Sequence, residues 1–490
     1  MNWMDDYMAI REDIHTGYIY ESIEAILLMR AHEEIPADEQ WRFSEMMGAC
    51  CRALADTEGA LAAYFEAATE DKYLRSQRSH FSNYLYLCHA VPNLTPKELK
   101  AQFDMYAKLY SHEEPLSPRE NVRHERLRIG FIAENFLSSS SSMFYEGLLR
   151  GLGEKYDVYA YALDDRADDD RADDFTESLR GEVNYNVLSN LSIEEQAQRI
   201  RADEIDVLFD LGGHTDGGMT LMVLAHRPAP VQLSGIGWFA TTGVDFVDGF
   251  LTDDVLSPAG AEEFYSEQLL RLPHAFHFTP DAAMRASAVA ERPADAPVTF
   301  GVFQNFMKIN EESLKAWGRI LKKVPKAQLI LQDAAVDSPL RVTTILEMIE
   351  GLKLPAKRIF VRTGKRGYLA DYGDIDIALD TFPYAGGAST ATALYMGVPV
   401  ITLRGETYHA SRLGAAMLTA AGKAAWIAEG AHAYERLALQ MAEHLGEVRA
   451  NRAALRAEVE ASALMDGAEY LSAFTSEIER LWAERGDFVR

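Results

Sequence analysis

Two stretches of this 490-residue sequence place phosphate-handling residue types at turns. In Gly301-Val302-Phe303-Gln304-Asn305-Phe306-Met307-Lys308-Ile309 an apolar run ends in a polar turn with one lysine. An ammonium at a strand-to-helix turn can neutralise a phosphate or another leaving anion, with Asn305 beside it; a solvated surface lysine is the plainer alternative. In Leu379-Asp380-Thr381-Phe382-Pro383-Tyr384-Ala385-Gly386-Gly387-Ala388-Ser389-Thr390-Ala391-Thr392 an apolar run enters a Gly-rich turn, and hydroxyl residues then open a helix. There the backbone N–H groups of Gly386, Gly387, Ala388, Ser389 and Thr390 can form an anion nest. The stretch lacks the terminal Gly-Lys-Ser/Thr of a P-loop and the spaced glycines of a dinucleotide fingerprint. A diphosphate held by backbone and hydroxyls, with no obligatory metal, fits it better than either, and better than a plain tight turn.

Other candidates are weaker on their own. The acidic run Asp164 to Asp174 has the carboxylate spacing with which metal-dependent sugar transferases hold a nucleotide diphosphate. Its arginines, Arg166 and Arg171, and its helical texture favour a solvated surface that screens or selects an acceptor. His80 lies in Ser79-His80-Phe81-Ser82-Asn83-Tyr84, a helical setting in which a lone histidine is more often structural than catalytic. His214 follows an apolar run in Gly212-Gly213-His214-Thr215, where it can face a cleft. His274, His277 and His409 lack partners at metal-ligand spacing, so no metal site is expected. No nucleophile elbow or paired-histidine zinc motif occurs.

The hydrophobic period assigns these residues to elements. The first ~125 residues read as helix, and between Met46 and Ala68 the positions Gly48, Ala60, Tyr64 and Ala67 fit the crossing of a tetratricopeptide-like hairpin; an ordinary hairpin is the alternative. Pro115, Pro118 and the charged residues Glu120 to Arg126 read as a linker. Strands are then expected at 127–133, 158–163 and 205–211, and, after an Ala/Pro-rich stretch at 280–297, at 298–303, 329–331, 359–361, 375–379 and 398–403. Strands alternating with helices imply parallel sheets with crossover helices. The expected fold is α/β: two successive doubly wound, Rossmann-like domains at 126–295 and 296–490 after a helical region at 1–125, with the ligand between their strand C-terminal ends.

The formal charge of −27 argues against nucleic acid and anionic membrane as partners, because no basic patch of useful length offsets it. The acidic first residues contain no export signal, no stretch approaches ~18 uninterrupted apolar residues, and the three cysteines are too few for a disulfide framework. A cytoplasmic protein is expected.

Taken together in their order, several blocks resemble the SPINDLY-like, O-linked N-acetylglucosamine transferase family of inverting glycosyltransferases (family 41). The likeness covers roughly residues 75 to 485. It rests on Leu127 to Phe136, Asp210 to Thr215, Ala225 to Gln232, Gly235 to Gly243, Phe303 to Ile309, Leu379 to Thr390, Gly397 to Thr402, and Gly405-Glu406 through Ser411-Arg412. The resemblance implies a GT-B fold behind tetratricopeptide helices, and metal-independent transfer of a sugar from a nucleotide sugar to Ser or Thr of proteins. It makes Lys308 the group that stabilises the departing diphosphate, Lys365 the lysine near the nucleoside, and Tyr368 the counterpart of a base-stacking histidine. It makes residues 386–390 the diphosphate turn, Ile236 and Gly237 the sugar-pocket loop, and His80 a histidine lining the active site.

Four positions depart from the family pattern. Asn135 and Ser139 stand where relatives commonly carry Asp and His, Met307 replaces a tyrosine, and Thr392 occupies the ribose-binding aspartate position. Neither Asn nor Ser is a competent base near pH 7, which leaves His80, or the substrate diphosphate itself, as proton acceptor. The resemblance favours a UDP-linked donor carrying N-acetylglucosamine or a hexose, no cofactor, and a protein acceptor docking near the helical region. Flagellin or another surface protein is the acceptor by analogy alone. The alternative is a non-catalytic GT-B-fold partner of an active transferase or a client protein. A small-molecule transferase is the weaker third reading, since a small acceptor needs no helical scaffold.

Overall fold

In a computed structural model the described residues are 3–31, 35–117, 124–164, 173–336, 338–365, 367–406 and 409–485. Most of the acidic run 164–174 and of the expected linker lies outside them. Six helices come first: α1 (Trp3–Thr16), α2 (Ile19–Arg30), α3 (Trp41–Leu54), α4 (Thr57–Glu70), α5 (Leu74–Cys88) and α6 (Pro96–Ala107). The α3–α4 pair forms the hairpin that the small residues predict. A Cβ on Gly48 would stand 2.9 Å from the Tyr64 ring, so only glycine lets that ring close the crossing. The Asp56 side chain caps α4 by accepting from the Gly59 N–H at 2.9 Å.

The first lobe runs β1 (Arg128–Ala133), α7 (Ser142–Leu152), β2 (Asp157–Ala162), α8 (Asp174–Glu182), β3 (Asn184–Val187), α9 (Ile193–Ala202), β4 (Val207–Asp210), α10 (Met219–Leu224), β5 (Val231–Ser234), β6 (Gly249–Thr252) and β7 (Gln268–Arg271). Its strand order is β3-β2-β1-β4-β5-β6-β7, with every pairing parallel. The short helix α11 (Ala282–Ala286) leads to the second lobe: β8 (Thr299–Gln304), α12 (Glu311–Lys323), β9 (Gln328–Val336), α13 (Pro339–Gly351), β10 (Ile359–Gly364), β11 (Ile377–Leu379), α14 (Ala388–Tyr395), β12 (Val400–Leu403), α15 (Leu413–Ala420) and β13 (Ile427–Ala428). Here the order is β10-β9-β8-β11-β12-β13, again all parallel. Helices α16 (Ala431–Glu443), α17 (Leu445–Ala450), α18 (Arg452–Glu460) and α19 (Gly467–Arg485) complete the chain.

Strands β4, β5 and β6 are buried at every residue, as expected of parallel strands covered on both faces. In each sheet the strand order reverses beside the first strand, between β1 and β4 and between β8 and β11. Crevices open at the C-terminal ends of strands at such switch points.

The last helix does not stay with the lobe that precedes it. On α19 the Tyr470 hydroxyl donates to the Ala275 carbonyl at 3.1 Å, Glu479 accepts from Tyr156 at 2.6 Å, and the Phe474 ring lies 5.9 Å from that of Phe209. The chain end therefore returns to the first lobe and fastens the two lobes together.

Candidate active site

Two adjoining cavities occupy the switch-point crevices. The first, about 370 Å³, takes Phe303 from β8, Gln332 and Asp333 from β9, Lys365, Tyr368 and Tyr372 after β10, and Ala388, Ser389 and Thr392 from α14. Ser138, Ser139, Ser140 and Met143 close it from the first lobe. Lys365, Tyr368, Ala388, Ser389 and Thr392 are thus brought together as the sequence predicts. The Lys365 ammonium lies 2.7 Å from Asp371, which holds it at the rim. Burial raises the Tyr368 hydroxyl above its ordinary range, and Thr392 stands beside it as a hydrogen-bond partner. Helix α14 starts at Gly387 with no capping side chain, and the Thr390 hydroxyl is buried with no partner among the described residues. An uncapped first turn with an idle hydroxyl suits an anion.

Lys308 sits where the two post-strand turns meet. Its ammonium donates to the Ala385 carbonyl at 3.1 Å and lies 3.7 Å from the Tyr384 ring centroid. Burial lowers it to about 8, against the opposing pull of the Asp380 carboxylate. Asp380 itself is pushed up to about 6 by burial, although four donors hold it: Thr402 at 2.7 Å, Gly386 N–H at 2.8 Å, Thr381 N–H at 2.9 Å and Gln304 at 3.1 Å. This corrects the expected nest at one position, because the Gly386 N–H points inward to Asp380 and not toward a ligand. Asn305 also serves the scaffold: its carbonyl oxygen accepts from the Met307 N–H at 3.0 Å and from Arg341. The next asparagine, Asn310, caps α12 and donates to the Phe382 carbonyl at 2.7 Å, joining the two turns.

The second cavity, about 360 Å³, lies between the helical region and the first lobe. Arg52, Asn83 and Tyr86 face Glu134, Asn135, Ser139, Asp216 and Gly237 across it. Ser139 lines both cavities, so they share a wall. Tyr384 lies close by: its ring centroid is 3.7 Å from the Lys308 ammonium and 6.3 Å from the ring of Tyr86, which lines the second cavity. The helical region is tied to the same place, for Thr57 donates to the Met307 carbonyl at 2.8 Å and Arg341 donates to the Arg52 carbonyl at 2.9 Å. Gly237 must be glycine, since a Cβ would fall 1.7 Å from the Leu211 carbonyl oxygen. Its neighbour Ile236 turns into the core and does not line the cavity.

The two histidine assignments change. His80 does not line either cavity. Its ring lies 5.3 Å from Trp41 and its Nε2 is 3.4 Å from Asp71, within the helical region. On α5 the residues that meet the lobe are Ser79, Ser82, Asn83 and Tyr86. His80 is one step of about 100° from Ser79 and leaves that face. Burial lowers it to about 4, so it is neutral but aimed away from any substrate. His214 does stand in the cavity wall, yet its Nε2 is 2.9 Å from the Thr242 carbonyl and its Nδ1 3.0 Å from the Ser82 hydroxyl. Both ring nitrogens are therefore spent on the scaffold. Sequence reading missed Arg52, Asn83, Tyr86, Glu134 and Asp216. Only Glu134 and Asp216, polar residues just past β1 and β4, carry a positional signal for a cleft.

Two facing doubly wound lobes with a ligand crevice at each switch point define the GT-B class. The chain belongs to glycosyl transferase family 41, whose model matches residues 68–293 and 286–474. It is 32% identical over 73% of its length to a Petunia hybrida protein described as probable UDP-N-acetylglucosamine–peptide N-acetylglucosaminyltransferase SPINDLY, and covers 39% of that relative. The corresponding SPINDLY protein of Arabidopsis thaliana is likewise 32% identical over 73% of the chain, with 39% of the relative covered. The chain thus spans about two fifths of the length of these relatives. A solved mutant of the Thermobaculum terrenum O-GlcNAc transferase superposes with a TM-score of 0.80 at 25% identity, covering all of both chains. No helix among the described residues is long and apolar enough to cross a membrane.

Proposed function

We propose that the chain moves a sugar from a nucleotide sugar to a Ser or Thr hydroxyl of a protein acceptor, with inversion at the anomeric carbon and no metal cofactor. One observation carries this reading: the two cavities share Ser139, and Lys308, which lines neither, is held at the Ala385 carbonyl, two residues before the uncapped N-terminus of α14, and against Tyr384, whose ring lies 6.3 Å from Tyr86 of the second cavity. The nucleoside takes the pocket of Lys365, Tyr368 and Thr392. The diphosphate takes the first turn of α14 with the Lys308 ammonium, which neutralises the charge that grows as the sugar leaves. Such a preorganised charge in a closed crevice is where most of the rate arises. The sugar takes the junction at Ser139 and Gly237, and the acceptor hydroxyl enters from the cavity walled by Arg52, Asn83 and Tyr86, so the peptide docks against the helical region.

UDP is the favoured nucleotide because the relatives are named for UDP-N-acetylglucosamine, with N-acetylglucosamine or a hexose as the sugar. Flagellin or another surface protein is the acceptor class we favour, modified in the cytoplasm. Calorimetry with UDP and GDP, with and without magnesium, tests the first half; UDP should bind more tightly, with magnesium making no difference. Intact-mass analysis of a protein panel incubated with UDP-sugars tests the second half through sugar-sized increments. Absence of nucleotide binding and of transfer overturns the reading. UDP binding without transfer, joined to co-purification with an active transferase, would identify a non-catalytic partner instead.

A further inference from the structure

The transfer reaction needs a proton acceptor for the incoming hydroxyl, and none of Asn135, Ser139 and His80 supplies one, which leaves the substrate diphosphate or another side chain. Asn135 and Ser139 line the acceptor cavity but bind protons too weakly near neutral pH, and His80 faces the helical core. Two carboxylates remain on the cavity wall, Glu134 and Asp216. Glu134 is partly buried, its Oε2 is closed to solvent, and it has an interaction of its own. Asp216 is exposed to the cavity, and its side chain makes no hydrogen bond with another described residue.

The backbone around Asp216 is held in a form that needs explaining. Asp216 has φ 50° and ψ 38°, and Gly217 and Gly218 follow at φ 71° and 69°, three consecutive left-handed residues. Left-handed conformations in non-glycine residues persist where the surroundings impose them, and they concentrate at functional sites. Helix α5 packs closely against this turn: a Cβ on Gly217 would lie 2.3 Å from the Ser79 hydroxyl, and one on Gly218 would lie 2.3 Å from that of Ser82. Ser82 also holds His214, at 3.0 Å from Nδ1, so the segment is clamped at both ends. His214 is then a positioning residue. On the other wall, Arg52 and Tyr86 lie within electrostatic reach of Asp216.

We propose that Asp216 is the general base of this chain, taking the acceptor hydroxyl proton as its oxygen attacks the sugar. In that step the oxygen forms a bond to the anomeric carbon and the bond from that carbon to the diphosphate breaks. The electron pair leaves with the diphosphate beside Lys308, and the proton rests on the Asp216 carboxylate until water removes it. The inference depends on the transfer reaction proposed above.

The test is Asp216→Asn, which removes the base while keeping a residue at ease in the left-handed conformation. A serine peptide that the wild-type protein modifies with UDP-N-acetylglucosamine, chosen from a synthetic library, is compared with the same peptide carrying cysteine at that serine. A thiol with an ordinary pKa of about 8.5 ionises without help, whereas a serine hydroxyl does not. We expect the variant to lose at least 100-fold on serine, to stay within about threefold of wild type on cysteine at pH 8.5, and to bind UDP unchanged. Equal loss on both peptides, wild-type rates on serine, or loss of UDP binding would each overturn the assignment. A wild-type protein that neither binds UDP nor modifies any peptide would instead refute the transfer reading on which it stands.

Discussion

The pocket of Lys365 and the cavity of Asp216 share Ser139 but are built in opposite ways. The pocket draws most of its wall from strands β8, β9 and β10 of one sheet and the segments that follow them, with Lys365 at its rim and the first turn of α14 beside it. The cavity is assembled from pieces distant in the chain: the end of α3, one face of α5, and the turns after β1, β4 and β5. Its charge is mixed, with Arg52 opposite Glu134 and Asp216. The difference suits the two partners proposed for them. A nucleotide diphosphate offers a constant anion that a compact turn can hold, whereas a peptide hydroxyl needs a wall that the helical region supplies from outside the lobe.

Removing Lys308 tests the contrast most severely. Lys308→Ala should lower kcat by about 10²–10³, the usual loss when a preorganised group opposing transition-state charge is deleted. Circular dichroism and the melting temperature should stay near wild type, because an ammonium lowered by burial is not a main support of the fold. Asp380→Asn comes next. It presents an amide where four donors converge and should cost about 1–3 kcal/mol in urea denaturation, with weaker UDP binding as the Gly386 turn loosens.

Acidity separates the two regions at a smaller scale. Lys308 is protonated below about pH 8 and neutral above it, so UDP affinity should fall above that value, by no more than about tenfold per pH unit. The buried histidines act in the other direction, on stability. His80 is lowered by burial to about 4, and His89, His214 and His409 to about 3, while the unfolded chain takes up their protons near 6.5. Their contribution is present above pH 6.5 and is lost as pH falls toward those folded values, which urea denaturation at pH 7, 6 and 5 will register. The smallest effect is expected of His80→Phe: kcat within twofold of wild type, with a shallower acid decline in stability. A large loss of kcat would return His80 to the site and erase the division between helical core and cavity wall.

What could be read from the chain was what short sequence segments encode. The eight strands expected from apolar runs all lie on observed strands, and Lys365, Tyr368, Ala388, Ser389 and Thr392 come together in one pocket because each follows a strand of the same sheet. Strands β3, β5, β6, β7 and β13 escaped because, unlike the equally short β4, β11 and β12, none is embedded in a longer apolar run. The inward aim of the Gly386 N–H escaped because it depends on Asp380 being buried under Thr402, a contact between adjacent strands.

The sequence by itself determined the two parallel lobes and the helical hairpin, since periodicity and turn chemistry act over a few residues. Tertiary structure alone decided which side of α5 meets the lobe. A rotation of about 100° per residue sends His80 to Trp41 while Ser79 and Ser82 reach the turn after β4, and the resulting clamp presents Asp216 to the cavity. No local signal carries that choice, because it is made by the surface against which the helix is pressed.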